Sequence, residues 1–267
     1  MGSDPRVLVT GAGGQVGRAL RRFLPGAVFL DRAALDVRDA GAVRAAFGPG
    51  DVVVHAAAMT DVDGCERDEP AAFAANADAA RHVAETGARV IQLSTDYVFA
   101  GDSDAPYAES DPTGPISVYG RSKLAGERAV LAQPDNLVVR TSWVYGDGRN
   151  FFRAILAAER AGRRLRVVDD QRGRPTAASD LARALAYLVA LDVSGIVHVT
   201  GAGEPCTWAD LAEIAVGHPV ERITTAEFGA PAPRPRSSVL ALDRARALGV
   251  PLADWADSVR RYLEGER

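Results

Sequence analysis

The chain has 267 residues, 47% of them hydrophobic and 25% charged, and a formal net charge of −4. That balance excludes a disordered or fibrous chain and offers no basic footprint for nucleic acid, and no apolar run reaches the roughly 18 residues that cross a bilayer. With no signal-peptide core at its start, and with Cys65 and Cys206 too few and too distant for a disulfide framework or a zinc site, it is expected to be a globular cytoplasmic protein without membrane or nucleic-acid partners.

A β-branched run over 6–10 predicts a buried strand, and the loop Gly11-Ala-Gly-Gly-Gln-Val-Gly17 leads from it into helical spacing over 18–24. A second strand over 27–30 ends at Asp31 and Arg32, and a third covers 51–55. An alanine-rich helix over 71–86 precedes a fourth strand at 89–94. A helix over 117–133 and a fifth strand at 137–141 follow. Strands that are apolar throughout and alternate with helices specify a parallel sheet covered on both faces. The fold class is therefore α/β, a doubly wound, Rossmann-like sheet with its ligand crevice at the strand C-termini. Beyond about residue 148 the pattern loosens into helices at 151–161 and 179–191, a strand at 195–199, and a turn-rich tail in which Thr207 caps a further helix. The expected division is a dinucleotide-binding domain over 1–148 with about 177–200, and a smaller substrate-binding lobe over 149–176 and 201–267.

Gly11, Gly14 and Gly17 allow a tight turn, close approach of backbone to a pyrophosphate, and packing of the helix whose N-terminus offers free N–H groups to phosphate. Asp31 can hold the adenosine ribose hydroxyls, whereas Arg32 can bind a 2′-phosphate. The two point in opposite directions, so the residues leave both NADPH and NADH open. Asp36 and Val37 are candidates for the adenine side, and Asp36 would serve equally well to cap the helix beginning near Asp39.

Of 31 basic residues only Lys123 is a lysine, so it should stand where a planar guanidinium will not serve. It follows Tyr119 by four residues, on the same face of the 117–133 helix. With six tyrosines in 267 residues, that spacing arises by chance about 2% of the time. An ammonium beside a phenol is expected to draw the phenol's pKa toward the working pH, making Tyr119 a proton donor to a carbonyl oxygen. Ser94 and Thr95 end the fourth strand at the crevice edge, where a hydroxyl can hold that carbonyl. The four histidines, His55, His82, His198 and His218, are scattered, and no metal site is expected.

The glycine loop, Thr95 and Tyr119-x-x-x-Lys123 together resemble the extended short-chain dehydrogenase/reductases. Finer motifs resemble one branch, the dTDP-4-dehydrorhamnose reductase family: Gly13-Gly-Gln-Val-Gly17, His55-Ala-Ala-Ala-Met-Thr-Asp-Val-Asp63, Ser94-Thr-Asp-Tyr-Val-Phe99 and Tyr119-Gly-Arg-Ser-Lys-Leu-Ala-Gly-Glu127. Arg140-Thr-Ser-Trp-Val-Tyr-Gly146, Asp170-Gln-Arg-Gly-Arg-Pro-Thr176 and Arg234-Pro-Arg-Ser-Ser238 continue the series over nearly the whole chain. The resemblance implies reduction of the C4 ketone of a dTDP-4-keto-6-deoxyhexose, with Tyr119 donating the proton, Lys123 holding the nicotinamide ribose, and Thr95 bonding the ketone. It places Gln15, Val16, Ala56, Ala57, Ala58 and Thr60 against the cofactor, and Asp96, Trp143 and Arg234 against the sugar nucleotide, with Arg234 on phosphate. Asn76, Gln171 and Arg174 are further candidates, and a monomer or homodimer is expected. Some family members form magnesium-linked dimers through an acid at the position of Ala19, an acid absent from this chain. Two rivals share the fold: a nucleotide-sugar epimerase or dehydratase, and a non-catalytic subunit like the regulatory subunit of methionine adenosyltransferase.

Overall fold

In the computed structural model, which describes residues 5–266, six short apolar runs pair into one wholly parallel sheet. These are β1 (Val7–Thr10), β2 (Val28–Leu30), β3 (Val52–His55), β4 (Arg89–Thr95), β5 (Leu137–Thr141) and β6 (Gly195–His198), ordered β6-β5-β4-β3-β1-β2. The strands are apolar on both sides because both sides are covered. Val9, Val54, Ile91 and Val139 meet Leu20 of α1 (Gln15–Phe23) and Leu181, Leu185 and Leu188 of α8 (Ala178–Val189). Leu8, Val53, Val90 and Val138 meet the opposite layer: Val43 of α2 (Ala40–Ala46), Val83 of α5 (Ala79–Ala84) and Val130 of α6 (Val118–Leu131).

Two other helices, α3 (Val62–Arg67) and α4 (Glu69–Phe73), lie between β3 and α5, and α4 runs into α5 through a π turn at Ala74–Asp78. The single helix expected over 71–86 is therefore interrupted around Asn76. That residue clamps the segment after β3: its Oδ1 accepts from Met59 N–H at 2.8 Å, and its Nδ2 donates to Met59 O at 3.0 Å. The cap expected from Asp36 falls to Asp39, whose carboxylate accepts from the Gly41 and Ala42 N–H groups, while Asp36 pairs with Arg38.

Strand order turns at β1, with β2 on one side and β3 on the other, and this switch point is where an open parallel sheet leaves its ligand crevice. Over it sits a lobe made of α7 (Phe151–Arg160), α9 (Trp208–Val216) and short ladders, among them Arg166–Val168 parallel to Glu221–Ile223. Thr207 caps α9 as expected, in a capping box with Asp210. The described residues from 201 to 266 contribute to more than one hydrophobic cluster. Leu211, Val259 and Leu263 pack in the lobe, whereas Ala245 and Val250 enter the core of the sheet. No helix among the described residues is long and apolar enough to cross a membrane.

Candidate active site

A cleft of about 620 Å³ opens at the C-terminal ends of β1, β3, β4 and β5, within the usual size of small-molecule sites. It brings together Thr95, Tyr119 and Lys123 with Gln15, Val16, Ala56, Ala58, Thr60, Asp96 and Trp143.

Backbone approach explains the loop after β1. Gly11 has φ +69°, and a Cβ there would stand 2.6 Å from the Ala57 nitrogen, so the β1 and β3 loops meet main chain to main chain. A Cβ on Gly17 would collide with the Gly11 carbonyl. The result is a stretch free of side chains beneath the N-terminus of α1, where Gly11, Gly14, Gly17 and Ala57 pack as backbone beside Gln15, Val16, Ala56 and Ala58, which line the cleft.

Thr95 comes from β4, and Tyr119 and Lys123 from α6. Ser117 caps α6 by accepting from Gly120 N–H, and one turn brings Tyr119 and Lys123 to the same side. A Cβ on Gly120 would collide with the Tyr97 carbonyl, so glycine lets the helix close on the turn after β4. Lys123 is 4% exposed and donates to Leu93 O at 2.6 Å. Burial pushes its pKa down to about 8, with Glu127 opposing the fall. Burial pushes the Tyr119 phenol up, and the Thr95 hydroxyl beside it works the other way. This differs from the expected lowering by Lys123, because the ammonium is engaged by a strand carbonyl and the desolvation of the phenol dominates.

Asp96 is 2% exposed and accepts hydrogen bonds from the Thr95 hydroxyl, at 3.0 Å, and from Ser238 of the C-terminal segment. Burial pushes its carboxyl up to about 7, against the pull of those hydroxyls. His55 is bonded to Thr10 at 2.6 Å, and burial pushes it down to about 3, so it is a neutral part of the sheet end.

Trp143 has φ +47°, a backbone conformation that costs a bulky residue on the order of 1–3 kcal/mol. Its indole stacks on Trp208 at 3.9 Å between centroids, and Trp208 meets Phe151 at 4.7 Å. These three rings line the same cleft as Thr95, Tyr119 and Lys123.

Other candidates stand apart. The Asp31 carboxylate accepts from the Ala33 and Ala34 N–H groups, each at 3.0 Å, and Arg32 beside it makes no hydrogen bond among the described residues. The Val37 carbonyl meets the His82 ring at 3.3 Å. Arg234 does not line the cleft; its guanidinium bonds both Asp63 oxygens at 3.1 Å and the Ala232 carbonyl at 2.9 Å. Gln171 and Arg174 hold the lobe, through Trp208 and Thr225 for the former and the carbonyls of Gly203 and Leu240 for the latter.

Sequence reasoning missed several lining residues, including Thr141, Arg149, Phe151 and Trp208. The Thr141 hydroxyl and the Gln15 side-chain carbonyl are buried at the cleft with no hydrogen-bond partner among the described residues. For Thr141 a signal existed, since it ends a strand beside Ser94-Thr95. Trp208 and Arg149 carry none, because they reach the cleft only through the packing of the lobe.

A parallel sheet with a backbone-lined crevice at its switch point, and a strand-end threonine facing Tyr-x-x-x-Lys, defines an extended short-chain dehydrogenase/reductase. More narrowly, residues 5–267 match the family model described as the RmlD substrate binding domain, and the chain belongs to that family. It is 46% identical to a probable dTDP-4,6-dihydroxy-2-methyloxan-3-one 4-ketoreductase of Streptomyces antibioticus, over 96% of this chain and 93% of that one. It is 44% identical to the dTDP-4-dehydrorhamnose reductase of Streptomyces griseus, over 94% and 90% of the two chains. Among solved structures, the Bacillus anthracis dTDP-4-dehydrorhamnose reductase in complex with NADP superposes with a TM-score of 0.91 at 32% identity, covering 98% of this chain and 100% of that one.

Proposed function

We propose that this protein reduces the C4 ketone of a dTDP-4-keto-6-deoxyhexose with NADPH, acting on dTDP-4-dehydro-L-rhamnose to give dTDP-L-rhamnose or on a related deoxysugar. The observation that carries the reading is the meeting of Thr95, Tyr119 and Lys123 in one cleft, in a chain of this family.

The residues present fit a dinucleotide: a side-chain-free floor at Gly11 and Ala57, the N-terminus of α1, and two orphaned polar atoms at Gln15 and Thr141. When bound, the cofactor supplies the hydride that adds to the ketone carbon. Thr95 holds the carbonyl oxygen by its hydroxyl, and Tyr119 gives that oxygen its proton as negative charge develops. Lys123 would hold the nicotinamide ribose from the same face of α6 as Tyr119. Trp143, Trp208 and Phe151 exclude water from the sugar side, with Asp96 as a sugar contact. The preference for NADPH rests on Arg32: the Asp31 carboxylate is occupied by its own loop, which leaves the guanidinium for a 2′-phosphate. The same reading places the enzyme in the cytoplasm, as a monomer or homodimer.

The test is cofactor oxidation by the purified protein with dTDP-4-dehydro-L-rhamnose, run with NADPH and with NADH. Stoichiometric oxidation, faster with NADPH, is expected, and Tyr119→Phe should lower kcat about a thousandfold while leaving NADPH binding intact. One observation favours the dehydratase or epimerase alternative, the buried acid Asp96 beside Thr95. Cofactor that stays bound and is recycled rather than consumed would move the assignment there.

A further inference from the structure

A buried network lies one helical turn beyond Lys123. Glu127, 2% exposed, receives a two-pronged bond from Arg140 of β5, at 2.9 Å from Nε and 2.7 Å from Nη2, and a further bond from the Ser94 hydroxyl. Lys123 meanwhile donates to the carbonyl of Leu93, so successive residues of β4 hold successive turns of α6. Arg140 is also 2% exposed, with its guanidinium carbon 5.0 Å from the centre of the Phe99 ring. Replacing such a pair by apolar residues of similar volume is often neutral or stabilising, so stability alone gives no reason to bury these charges beside the cleft.

We propose that Glu127 is a positioning residue for the reduction: gripped by Arg140 and Ser94, it sets the turn of α6 that aims Lys123 into the cleft and keeps a fixed negative charge one turn from the ammonium. This rests on the role given to Lys123 above. The groups facing Lys123 are few. From α6 they are Tyr119 and Glu127, from β3 the neutral His55, and from β5 Arg140 acting through Glu127. Asp61 and Arg149 line the same cleft, Asp61 accepting from Gly64 N–H to cap α3, and the remaining ionisable groups nearby are turned elsewhere. Cys65 faces Tyr119, Glu66 accepts from Val118 N–H, Glu69 meets Arg121, and Asp96 faces Thr95 and Ser238. Among the described residues, the Glu127 carboxylate is the one charged group that opposes the effect of burial on Lys123. The ammonium persists below a midpoint of about 8 and is lost as pH rises through it.

Lys123 is the only lysine in the chain, so protein labelled with lysine enriched in carbon-13 at Cε gives a single lysine resonance, whose pH midpoint reads this charge without turnover. Glu127→Gln is expected to lower the midpoint by about one pH unit and to move the alkaline fall of kcat with it, while the KM for NADPH changes less than kcat. Glu127→Asp keeps the charge and should hold the midpoint near that of the parent protein. The double variant Glu127→Leu with Arg140→Met keeps the fold by exchanging the pair for apolar groups, yet its midpoint should still fall because the anion is gone. An unchanged midpoint in both folded variants overturns the proposal even if turnover drops. Turnover that survives Lys123→Met removes instead the reading of the site on which it rests, and the two failures are told apart because the resonance is read in the Glu127 variants and turnover in Lys123→Met.

Discussion

The floor of the cleft and the wall above it are held together by different forces. The floor is a continuous backbone ladder in which Val53, Val54, Val90, Ile91 and Val138 are wholly buried, and its charged pair, Glu127 with Arg140, is sealed inside. The lobe is assembled from ladders of two or three residues, stacked aromatic rings and surface ion pairs. Arg222 alone meets Asp169, Asp210 and Glu213 at 2.7 to 2.8 Å. Close-packed strands admit small displacements only, whereas rings and exposed charges can shift to fit a ligand. The function proposed above accordingly puts proton transfer, which needs tight geometry, on the floor and sugar recognition on the wall.

The comparison breaks most sharply at Gly11. Gly11→Ala puts a methyl against the Ala57 backbone at a positive φ and should cost about 2–3 kcal/mol, lowering Tm by about 5–10 °C. NADPH binding, followed by fluorescence titration, should be lost with it. Parent-like affinity in that variant would mean that the two loops do not form the pyrophosphate floor. Trp208→Ala tests the wall. It should raise the KM for the nucleotide sugar about tenfold while kcat stays within about threefold, because a stacking surface is lost and the proton donor is untouched. A fall in kcat that matches the rise in KM would deny the separation of floor from wall.

The smallest effect is expected from Arg222→Ala, with the side chain 39% exposed and its ion pairs open to solvent. Screening limits the loss to about 1 kcal/mol or less, with kinetics unchanged. Its pH dependence has a defined sign. The hydrogen bond from Arg222 is the largest influence holding the Glu213 carboxyl below its ordinary value. The stabilisation it brings is complete above the ordinary carboxylate range and is lost as pH falls through the lowered pKa. Thermal melts of the two proteins should therefore converge on acidification.

Much of the floor could be read from the chain because its information is local. A strand buried on both faces is apolar along most of its length, a glycine loop stands between strand and helix, and a spacing of four puts Tyr119 beside Lys123. The π turn at Asn76 had no such signal, since it follows from hydrogen bonds to Met59, a partner distant in sequence. Arg234 carries the opposite lesson. The chain suggests a phosphate ligand, but whether a guanidinium is free depends on which carboxylate the fold brings to it, and the fold brings Asp63.

The sequence by itself determined the class of sheet, the position of its crevice, and the spacing that brings Tyr119 and Lys123 to one side of a helix there. These follow from periodicities and spacings of a few residues, which each element satisfies alone. Only the tertiary structure decided which charges are spent on one another, that Asp96 is sealed beneath Ser238, and that Trp208 and Arg149 reach the cleft. Those outcomes depend on contacts between residues far apart in the chain, where burial, not composition, sets whether a polar group is paired, neutralised or left for a ligand.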